Sequence, residues 1–408
     1  MRASAALAAA LVLAGCAADR PPTAALAPDA APSYARAAAC PAAEPTTASA
    51  RWTRLADVVV GRNPRGPLFA ARNLALIAVA QYNAVIAAED EREGRLHPSV
   101  AGAAAGASAA MLVGLYASEQ GAADAQLAAD AAYFPSLPSE RDADWAEGVA
   151  VGREVAAAVL AYASADGSAA VSPELFPTGP TSPGAWYSAV GTAPVAPLWG
   201  QVRPWVLPAG DAFRPPPPPA FGSPAYLAEV AMVRAASDTR TPAQLAIARK
   251  WGTADVNPAG GSGIFSDSAI ARAERHHLDE RATARLLAVL AIAQMDASIG
   301  CWEAKYHYRT IRPWQVDAAI TTPIGRPNFP SYPSGHSCVM GAAGAVLAGF
   351  FPPDGELFAA MVAEAGVSRV YAGLHFPFDI PAGQRLGRAV GALALANAPR
   401  GHAPIPLD

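Results

Sequence analysis

Apolar residues recur at helical spacing along most of the chain, and alanine supplies many of them. Side chains three and four residues apart share one face of a helix, so this pattern predicts amphipathic and buried α-helices. We expect helices over Ala101–Tyr116, Ala122–Ala132 and Glu140–Ala163, and a second helical set from Tyr226 onward. An alanine-rich composition also favours helix over strand. The sequence therefore predicts an all-α fold.

One apolar helical pattern occurs twice. Residues 71–84 read ARNLALIAVAQYNA, and residues 284–297 read ARLLAVLAIAQMDA. Both segments place an arginine and a glutamine at matched positions inside an apolar run. We interpret the repeat as two related helical bundles of the duplicated four-helix type, of which the second carries the chemistry. Chance similarity between two alanine-rich helices is the alternative.

Composition divides the chain into five segments. They are a leader at 1–16, an Ala/Pro-rich tether at 17–50, a first helical bundle at 51–165, an irregular Pro/Trp-rich connection at 166–224, and a second helical bundle at 225–400. The connection holds Trp186, Trp199 and Trp205 and the five prolines 215–219. A proline run adopts a stiff extended helix, which can lie across a bundle but cannot join it. We expect a packed connection.

The N-terminus has the pattern of an export signal. Arg2 precedes a short apolar stretch that ends in Leu-Ala-Gly-Cys at Cys16, which resembles a bacterial lipobox. This predicts an exported protein whose Cys16 is lipidated and holds it at the surface of a membrane of the cell envelope. A plain secretory signal with an incidental cysteine is the alternative. The later apolar stretches carry polar residues, so we expect a water-soluble body.

Charge and cysteine content narrow the function further. The chain has a net charge of −4 and no cluster of basic residues, which argues against a nucleic-acid partner. Of the four cysteines, Cys301 and Cys338 flank the segments with candidate chemistry. Buried free thiols are the default expectation for this pair, with oxidation open to an exported protein. The oligomeric state is left open.

A loop with two prolines leads into a strongly apolar run. Residues 328–336 read NFPSYPSGH, and the run Cys338–Phe350 predicts a buried helix directly after them. Ser334, Gly335 and His336 fall at the start of that helix. Free backbone N–H groups, a hydroxyl and an imidazole at a helix start suit an oxyanion.

Three cationic residues flank this loop in sequence. Lys305 and Arg312 are seven residues apart, which predicts one face of a helix that ends at Arg312 before Pro313. Arg369 follows downstream. A guanidinium offers paired N–H donors that match the oxygens of a tetrahedral anion.

A second histidine follows Arg369. Pro377 is a natural first residue of a helix, which places Asp379 in its first turn, close to His375. A carboxylate on one imidazole nitrogen fixes the tautomer and leaves the other nitrogen as a ligand or nucleophile. His336 is the candidate general acid and base.

These three motifs resemble the signature of the type 2 phosphatidic acid phosphatase/vanadium haloperoxidase superfamily. The matching residues are Lys305 with Arg312-Pro313, then Pro333-Ser334-Gly335-His336, then Ser368-Arg369 with His375 and Asp379. The resemblance implies a site for a tetrahedral phosphoryl group or for vanadate. In it, His375 is the nucleophile or the vanadium ligand, His336 the acid/base, and Asp379 the residue that orients His375. The residues implied to hold the oxygens are Lys305, Arg312, Ser334, Gly335 and Arg369.

Similarity outside the motifs points to the soluble bacterial vanadium-haloperoxidase-like branch. That resemblance implies a vanadate cofactor, with halide and hydrogen peroxide as substrates. Trp302 and Phe329 are similar to residues of chloride-oxidising members and imply a halide pocket. An acid phosphatase that hydrolyses phosphomonoesters through a phosphohistidine, without a cofactor, is the second hypothesis. A lipid-anchored phosphate-binding protein without turnover is the third.

Overall fold

The computed structural model describes residues 46–63, 65–91, 97–140, 143–252, 259–399 and 404–407. The leader, Cys16 and the tether up to residue 45 lie outside the described residues, so the predicted lipidation and anchoring stay predictions. Within the described ranges the regular structure is helical apart from one short parallel pairing of His97–Pro98 (β1) with Ala143–Asp144 (β2) and an isolated bridge between Ala185 and Thr310. The all-α prediction is confirmed.

The described helices fall into two groups in chain order. The first group is α1 (Ala48–Arg62), α2 (Pro67–Asp90), α3 (Val100–Leu115), α4 (Gln120–Tyr133) and α5 (Trp145–Ser164). The second group is α6 (Pro224–Asp238), α7 (Pro242–Gly252), α8 (Gly260–Arg275), α9 (Glu280–Tyr308), α10 (Pro313–Val316), α11 (Gly335–Phe350), α12 (Gly355–Tyr371) and α13 (Asp379–Asn397).

The two copies of the sequence repeat become the central helices α2 and α9. α2 packs against α3 and α5, α9 packs against α11 and α13, and α2 and α9 pack against each other. Both bundles therefore share one core and belong to one compact unit. By length and composition α2 and α9 would suffice to cross a membrane, but their apolar windows are 89% and 94% buried within the protein.

A very close helix contact is repeated in both bundles. A Cβ added to Gly152 of α5 would lie 2.1 Å from the carbonyl oxygen of Ala103 in α3. A Cβ added to Gly387 of α13 would lie 2.1 Å from the carbonyl oxygen of Cys338 in α11. The pair α3/α5 thus corresponds to the pair α11/α13, which extends the repeat beyond the two segments with similar sequence. The prediction of two related bundles is confirmed.

The connection between the bundles packs against α9. The carboxylate of Asp296, buried in α9, accepts backbone N–H groups of Trp205, Val206 and Leu207 at 2.8–2.9 Å. The indole N–H of Trp199 donates to Ser298 Oγ at 2.9 Å. A segment without regular structure is therefore held in place by its own backbone donors, as the tryptophans predict.

Cys301 and Cys338 form a disulfide between α9 and α11. The expectation of free thiols is wrong for this pair. The packing of the two helices brings the cysteine of α9 opposite the cysteine of α11. Their Cα atoms are 6.2 Å apart, which is within disulfide range. Their separation of 37 positions hides this proximity in the sequence. The bond ties the helix of Lys305 to the helix of His336.

Candidate active site

The chain leaves α9 just after Lys305 and returns towards the pocket through a tight reversal. α9 ends at Tyr308, and Arg309 caps it in the left-handed conformation with φ 48°. Arg312 then lies in extended backbone as the N-cap of α10. The prediction that Lys305 and Arg312 share one helical face is therefore wrong. They meet because the chain turns back at Arg309.

Lys305 is fully buried and points into the loop that precedes α11. Its Nζ donates to the carbonyl oxygens of Pro330, Ser331 and Pro333 at 2.5–3.0 Å. Burial lowers the pKa of Lys305 well below its ordinary value. Three acceptors nevertheless match the three N–H bonds of the charged ammonium. Lys305 thus fixes the loop and contributes charge, while its own hydrogens are already engaged.

Arg312 is fully buried and reaches the middle of the site. Its Nε donates to the Phe329 carbonyl at 2.9 Å, and its Nη1 donates to the Leu374 carbonyl at 2.8 Å. The same Nη1 lies 3.0 Å from His375 Nε2. Nη2 is buried and has no partner among the described residues. A buried unsatisfied donor costs free energy, so this N–H group is suited to an anion that enters the site.

Arg369 completes the set of buried cations. Its Nη2 donates to the Ala248 carbonyl at 2.7 Å, and its Nε donates to Ser368 Oγ at 2.8 Å. Burial lowers the pKa of both Arg369 and Arg312 to about 9, so both stay charged at neutral pH. Within the described part of the chain none of these three cations forms an ion pair with a carboxylate. The site therefore has an excess of positive charge.

His375 lies in the turn between α12 and α13 and is held by Asp379. Its Nδ1 is 2.8 Å from Asp379 Oδ2, which assigns the proton to Nδ1 and leaves a lone pair on Nε2. Burial, and then the nearby Arg312, lower the pKa of His375 well below its ordinary value. His375 is therefore neutral, and its unprotonated Nε2 accepts a hydrogen bond from Arg312 Nη1 at 3.0 Å.

The start of α13 differs slightly from the prediction. The helix begins at Asp379, with Phe378 as its N-cap, so Pro377 precedes the helix. Asp379 is the first helical residue, and this still turns its carboxylate back to His375. The Asp379 backbone carbonyl accepts the Ser334 N–H at 3.0 Å. This contact joins the histidine segment to the loop before α11.

Ser331 is a site residue that the motifs did not identify. It is fully buried, and its Oγ donates to Asp379 Oδ2 at 2.6 Å. That oxygen also accepts the Phe376 N–H at 3.2 Å. Burial raises the pKa of Asp379 to about 6, and the Ser331 hydrogen bond opposes this rise. Ser331 therefore helps to keep Asp379 ionised and in contact with His375.

Substituting Ser331→Ala is expected to lower kcat about tenfold with little change in KM, because one hydrogen bond to a charged group is worth about 1.5–3 kcal/mol. The acidic limb of the kcat profile should also move to higher pH, since loss of this donor raises the pKa of Asp379. Steady-state kinetics across pH measures both effects. Ser108→Ala, an equally buried serine in α3, is the control and should change neither.

His336 lies in the first turn of α11, whose N-cap is Ser334. Its Nε2 is 2.8 Å from the Trp251 carbonyl, so Nε2 carries the proton and Nδ1 the lone pair. Burial, and then Arg369, lower the pKa of His336 to about 3. His336 is thus a neutral base at neutral pH. The negative charge of a bound anion would raise its pKa again.

We expect sulfate to bind more tightly as the pH falls from about 8 to about 5, by up to about tenfold per pH unit where one proton is taken up. Sulfate does not titrate in this range, and His336 is the group that an anion makes easier to protonate. Isothermal titration calorimetry in two buffers of different ionisation enthalpy measures the proton uptake. His336→Asn should bind sulfate with a much flatter pH dependence. Equal pH dependence in both proteins would contradict the role of His336.

Two aromatic rings cover the cations. The rings of Trp302 and Phe329 are 4.8 Å apart. Lys305 Nζ lies 5.5 Å and 5.2 Å from their centroids, and Arg312 Cζ lies 4.7 Å from Phe329. A Cβ at Gly335 would approach the Trp302 ring to 3.3 Å, so the glycine allows this close packing. The candidate halide-pocket residues therefore lie beside the oxyanion site.

The fold brings the predicted site residues into one region. A cavity of about 500 Å³ reaches Gly335, His336, Arg369 and His375, and Trp302 and Phe329 line it as well. Besides Ser331, sequence reasoning missed the Trp251 carbonyl, for which no side-chain pattern exists. It also missed Glu229 of α6, whose carboxylate accepts the Phe378 N–H behind Asp379. Burial raises the pKa of Glu229 to about 7.

Comparison with known sequences identifies the domain that carries this site. Residues 282–401 match the PAP2 superfamily. A lipid A 1-phosphatase from Rhizobium etli is 41% identical to the chain over 63 residues, which are 15% of this chain and 27% of that protein. A lipid A 1-phosphatase from Rhizobium johnstonii matches to the same extent over 26% of its length. The chain thus spans about a quarter of the length of these curated relatives.

Solved structures resemble the chain over nearly its whole length. A bacterial vanadium-dependent iodoperoxidase has a TM-score of 0.72 at 23% identity, covering 88% of this chain and 97% of that one. A bacterial vanadium-dependent chloroperoxidase has a TM-score of 0.66 at 16% identity, covering 83% of this chain and 94% of that one. At these identities the likeness establishes the fold. Residues 282–401 therefore form a PAP2 superfamily domain, set within the all-α fold of the bacterial vanadium-dependent haloperoxidases.

Proposed function

We propose that this chain is a vanadium-haloperoxidase-like enzyme that binds vanadate at His375 and oxidises halide with hydrogen peroxide. The observation that carries the proposal is the unprotonated Nε2 of His375, held at 3.0 Å from Arg312 Nη1 among buried cations that form no ion pair with a described carboxylate. A tetrahedral oxyanion would supply the missing negative charge. The whole-length likeness of fold to bacterial vanadium-dependent peroxidases supports vanadate as that anion.

The donors in the site fit vanadate chemically. His375 Nε2 offers one neutral nitrogen ligand, and the unpartnered Nη2 of Arg312 offers a donor to an oxygen. Arg369, Ser334 and the Gly335 N–H are the further groups that would hold oxygens. Vanadate, when bound, supplies an electrophilic centre at which peroxide becomes reactive towards halide.

The protein itself has three tasks in this proposal. Asp379 and Ser331 keep the proton on His375 Nδ1, so that Nε2 remains a ligand. The fixed cations stabilise negative charge in a site from which water is partly excluded, where such charges act strongly. His336 would take up at Nδ1 the proton that an acidic ligand such as peroxide releases on binding.

The aromatic pair beside the cations supports halide as the substrate. Trp302 and Phe329 form an apolar wall, and the charges of Lys305 and Arg312 lie within about 5.5 Å of their rings. A halide ion is weakly hydrated and polarisable, so an apolar surface next to positive charge suits it. We assign the halide to this corner of the cavity.

An acid phosphatase is the second candidate, favoured by the short but 41% identical match to a lipid A 1-phosphatase. In this case His375 Nε2 attacks phosphorus and forms a P–N bond while the P–O bond to the alcohol breaks. His336, protonated on binding of the phosphate, donates its proton to the leaving oxygen. Water then cleaves the P–N bond and releases phosphate. No cofactor takes part.

The two candidates are separated by one experiment on the purified chain. Bromide oxidation by hydrogen peroxide and hydrolysis of an aryl phosphate are measured side by side, with and without added vanadate. Oxidation that depends on vanadate supports the peroxidase. Hydrolysis that vanadate only inhibits supports the phosphatase and overturns the first proposal. Tight phosphate binding without either reaction would indicate a binding protein and overturn both.

We also propose that Cys16 anchors the protein to the cell envelope, a proposal that rests on its lipobox-like sequence alone. Cys16→Ser should release the protein from the membrane fraction while leaving its catalytic properties unchanged. Membrane association that survives the substitution would contradict the anchor.

A further inference from the structure

The cavity at the site is far larger than the proposed small reactants need. Its volume is about 500 Å³. Pockets of about 300–1,000 Å³ hold drug-sized ligands, whereas a water molecule takes up about 30 Å³ of liquid. Halide and peroxide are of roughly the latter size. The cavity therefore has room for an organic molecule beside the oxyanion.

The walls of the cavity come from both bundles and are mostly apolar. Val60 of α1 and Leu68 of α2 face residues such as Trp251, Val339 and Met340 of the second bundle across it. Burial of an apolar body against such walls is favourable by about 25 cal/mol per Å². The site thus has an apolar extension, and the first bundle contributes it although that bundle carries none of the three motifs.

The described residues that line the cavity carry positive charge only. Arg369 lies at its buried end, while Arg65 and Arg326 line it as exposed residues. Neither of these two exposed arginines forms an ion pair with any residue that the structure describes. The described residues that line the cavity include no Asp or Glu. An anionic ligand could pair with Arg65 and Arg326, which a neutral or cationic ligand would leave to solvent.

We propose that the cavity binds an organic anion, with its apolar body against the walls and its anionic group at Arg65 and Arg326. This inference deepens the proposed function, on which it rests for the reaction, by naming the class of organic substrate. In the peroxidase that molecule is the acceptor of the oxidised halogen. In the phosphatase it is the organic part of a phosphomonoester with a second anionic group.

Binding can be tested without any turnover by two fluorescent probes that share an apolar body. Anilinonaphthalene sulfonate carries a negative charge, and N-phenylnaphthylamine is neutral. The double substitution Arg65→Gln with Arg326→Gln should weaken sulfonate binding about tenfold and leave the neutral probe unchanged, because only two exposed charges are lost. Arg153→Gln, an exposed arginine on α5, is the control and should affect neither probe.

A second substitution locates the probes. Ala70 of α2 lines the cavity, so Ala70→Trp should weaken both probes by filling space. Unchanged sulfonate binding in this variant would place the probe elsewhere and overturn the inference. The inference would also be overturned if the double arginine substitution left sulfonate binding unchanged, or if it weakened binding of the neutral probe equally.

The outcome is independent of the outcome for the proposed function. In one outcome, neither halide oxidation nor phosphate hydrolysis is found, while the double arginine substitution weakens binding of the sulfonate probe alone. That result contradicts the proposed function and supports the organic-anion site. If a reaction is found but the double arginine substitution affects both probes equally or neither, the proposed function is supported and the proposed substrate class is wrong.

Discussion

Replacing His375 with alanine is expected to lower turnover by about a thousandfold or more, whichever of the two reactions the enzyme performs. His375 Nε2 is the unprotonated nitrogen that lies 3.0 Å from the buried guanidinium of Arg312, and Asp379 holds the ring in the required tautomer. The substitution removes the nitrogen that is proposed as ligand or nucleophile. Steady-state rates of halide oxidation and aryl phosphate hydrolysis measure the loss.

The substituted protein must be shown to retain its pocket. Sulfate, which the cations hold without a nitrogen ligand, should still bind to the His375→Ala protein with an affinity within about tenfold of the original. His276→Ala, at an exposed histidine stacked on Phe351, should leave turnover unchanged. Activity within about tenfold of the original in the His375→Ala protein would remove His375 from the centre of the mechanism.

The grouping of the candidate site residues was predictable from sequence because they occur in short motifs that the fold brings together. The loop and the start of the helix at Pro333 to His336 follow from the backbone preferences of proline and glycine. α11 begins at Gly335, as expected. The contact of His375 with Asp379 follows from residue type and spacing. The spacing of Lys305 and Arg312, by contrast, predicted a shared helical face that the structure does not have. The repeated pattern at α2 and α9 likewise predicts the two related bundles, since an apolar helix needs a partner for each face.

Other parts of the site depend on contacts that no local pattern encodes. Lys305 is engaged by three backbone carbonyls, and carbonyl groups occur at every position of every sequence. The reversal at Arg309 places a residue other than glycine at positive φ, against the usual preference. Ser331 lies on the same loop as Ser334, and only the approach of Asp379 from α13 gives it a role.

The largest effect on stability is expected from Gly387→Ala. The new methyl group would overlap the Cys338 carbonyl oxygen at 2.1 Å, and backbone cannot move aside as a flexible side chain can. Overpacking of this kind costs about 1–3 kcal/mol, and we expect the upper end. The added methyl group would push α11 and α13 apart. Because α11 carries His336 and α13 begins with Asp379, this should also lower the activity of the folded protein. Urea unfolding and kinetics at saturating substrate measure the two effects.

Gly152→Ala is the matched control that the duplicated fold provides. The same methyl group would overlap the Ala103 carbonyl oxygen at 2.1 Å in the first bundle, so a similar loss of stability is expected. However, α3 and α5 carry no catalytic group, and the folded fraction should keep its kcat. If both variants lost activity in proportion to stability, the α11/α13 contact would have no special role in positioning the site. A selective loss in Gly387→Ala would show that this close contact sets the distance between His336 and the His375–Asp379 pair.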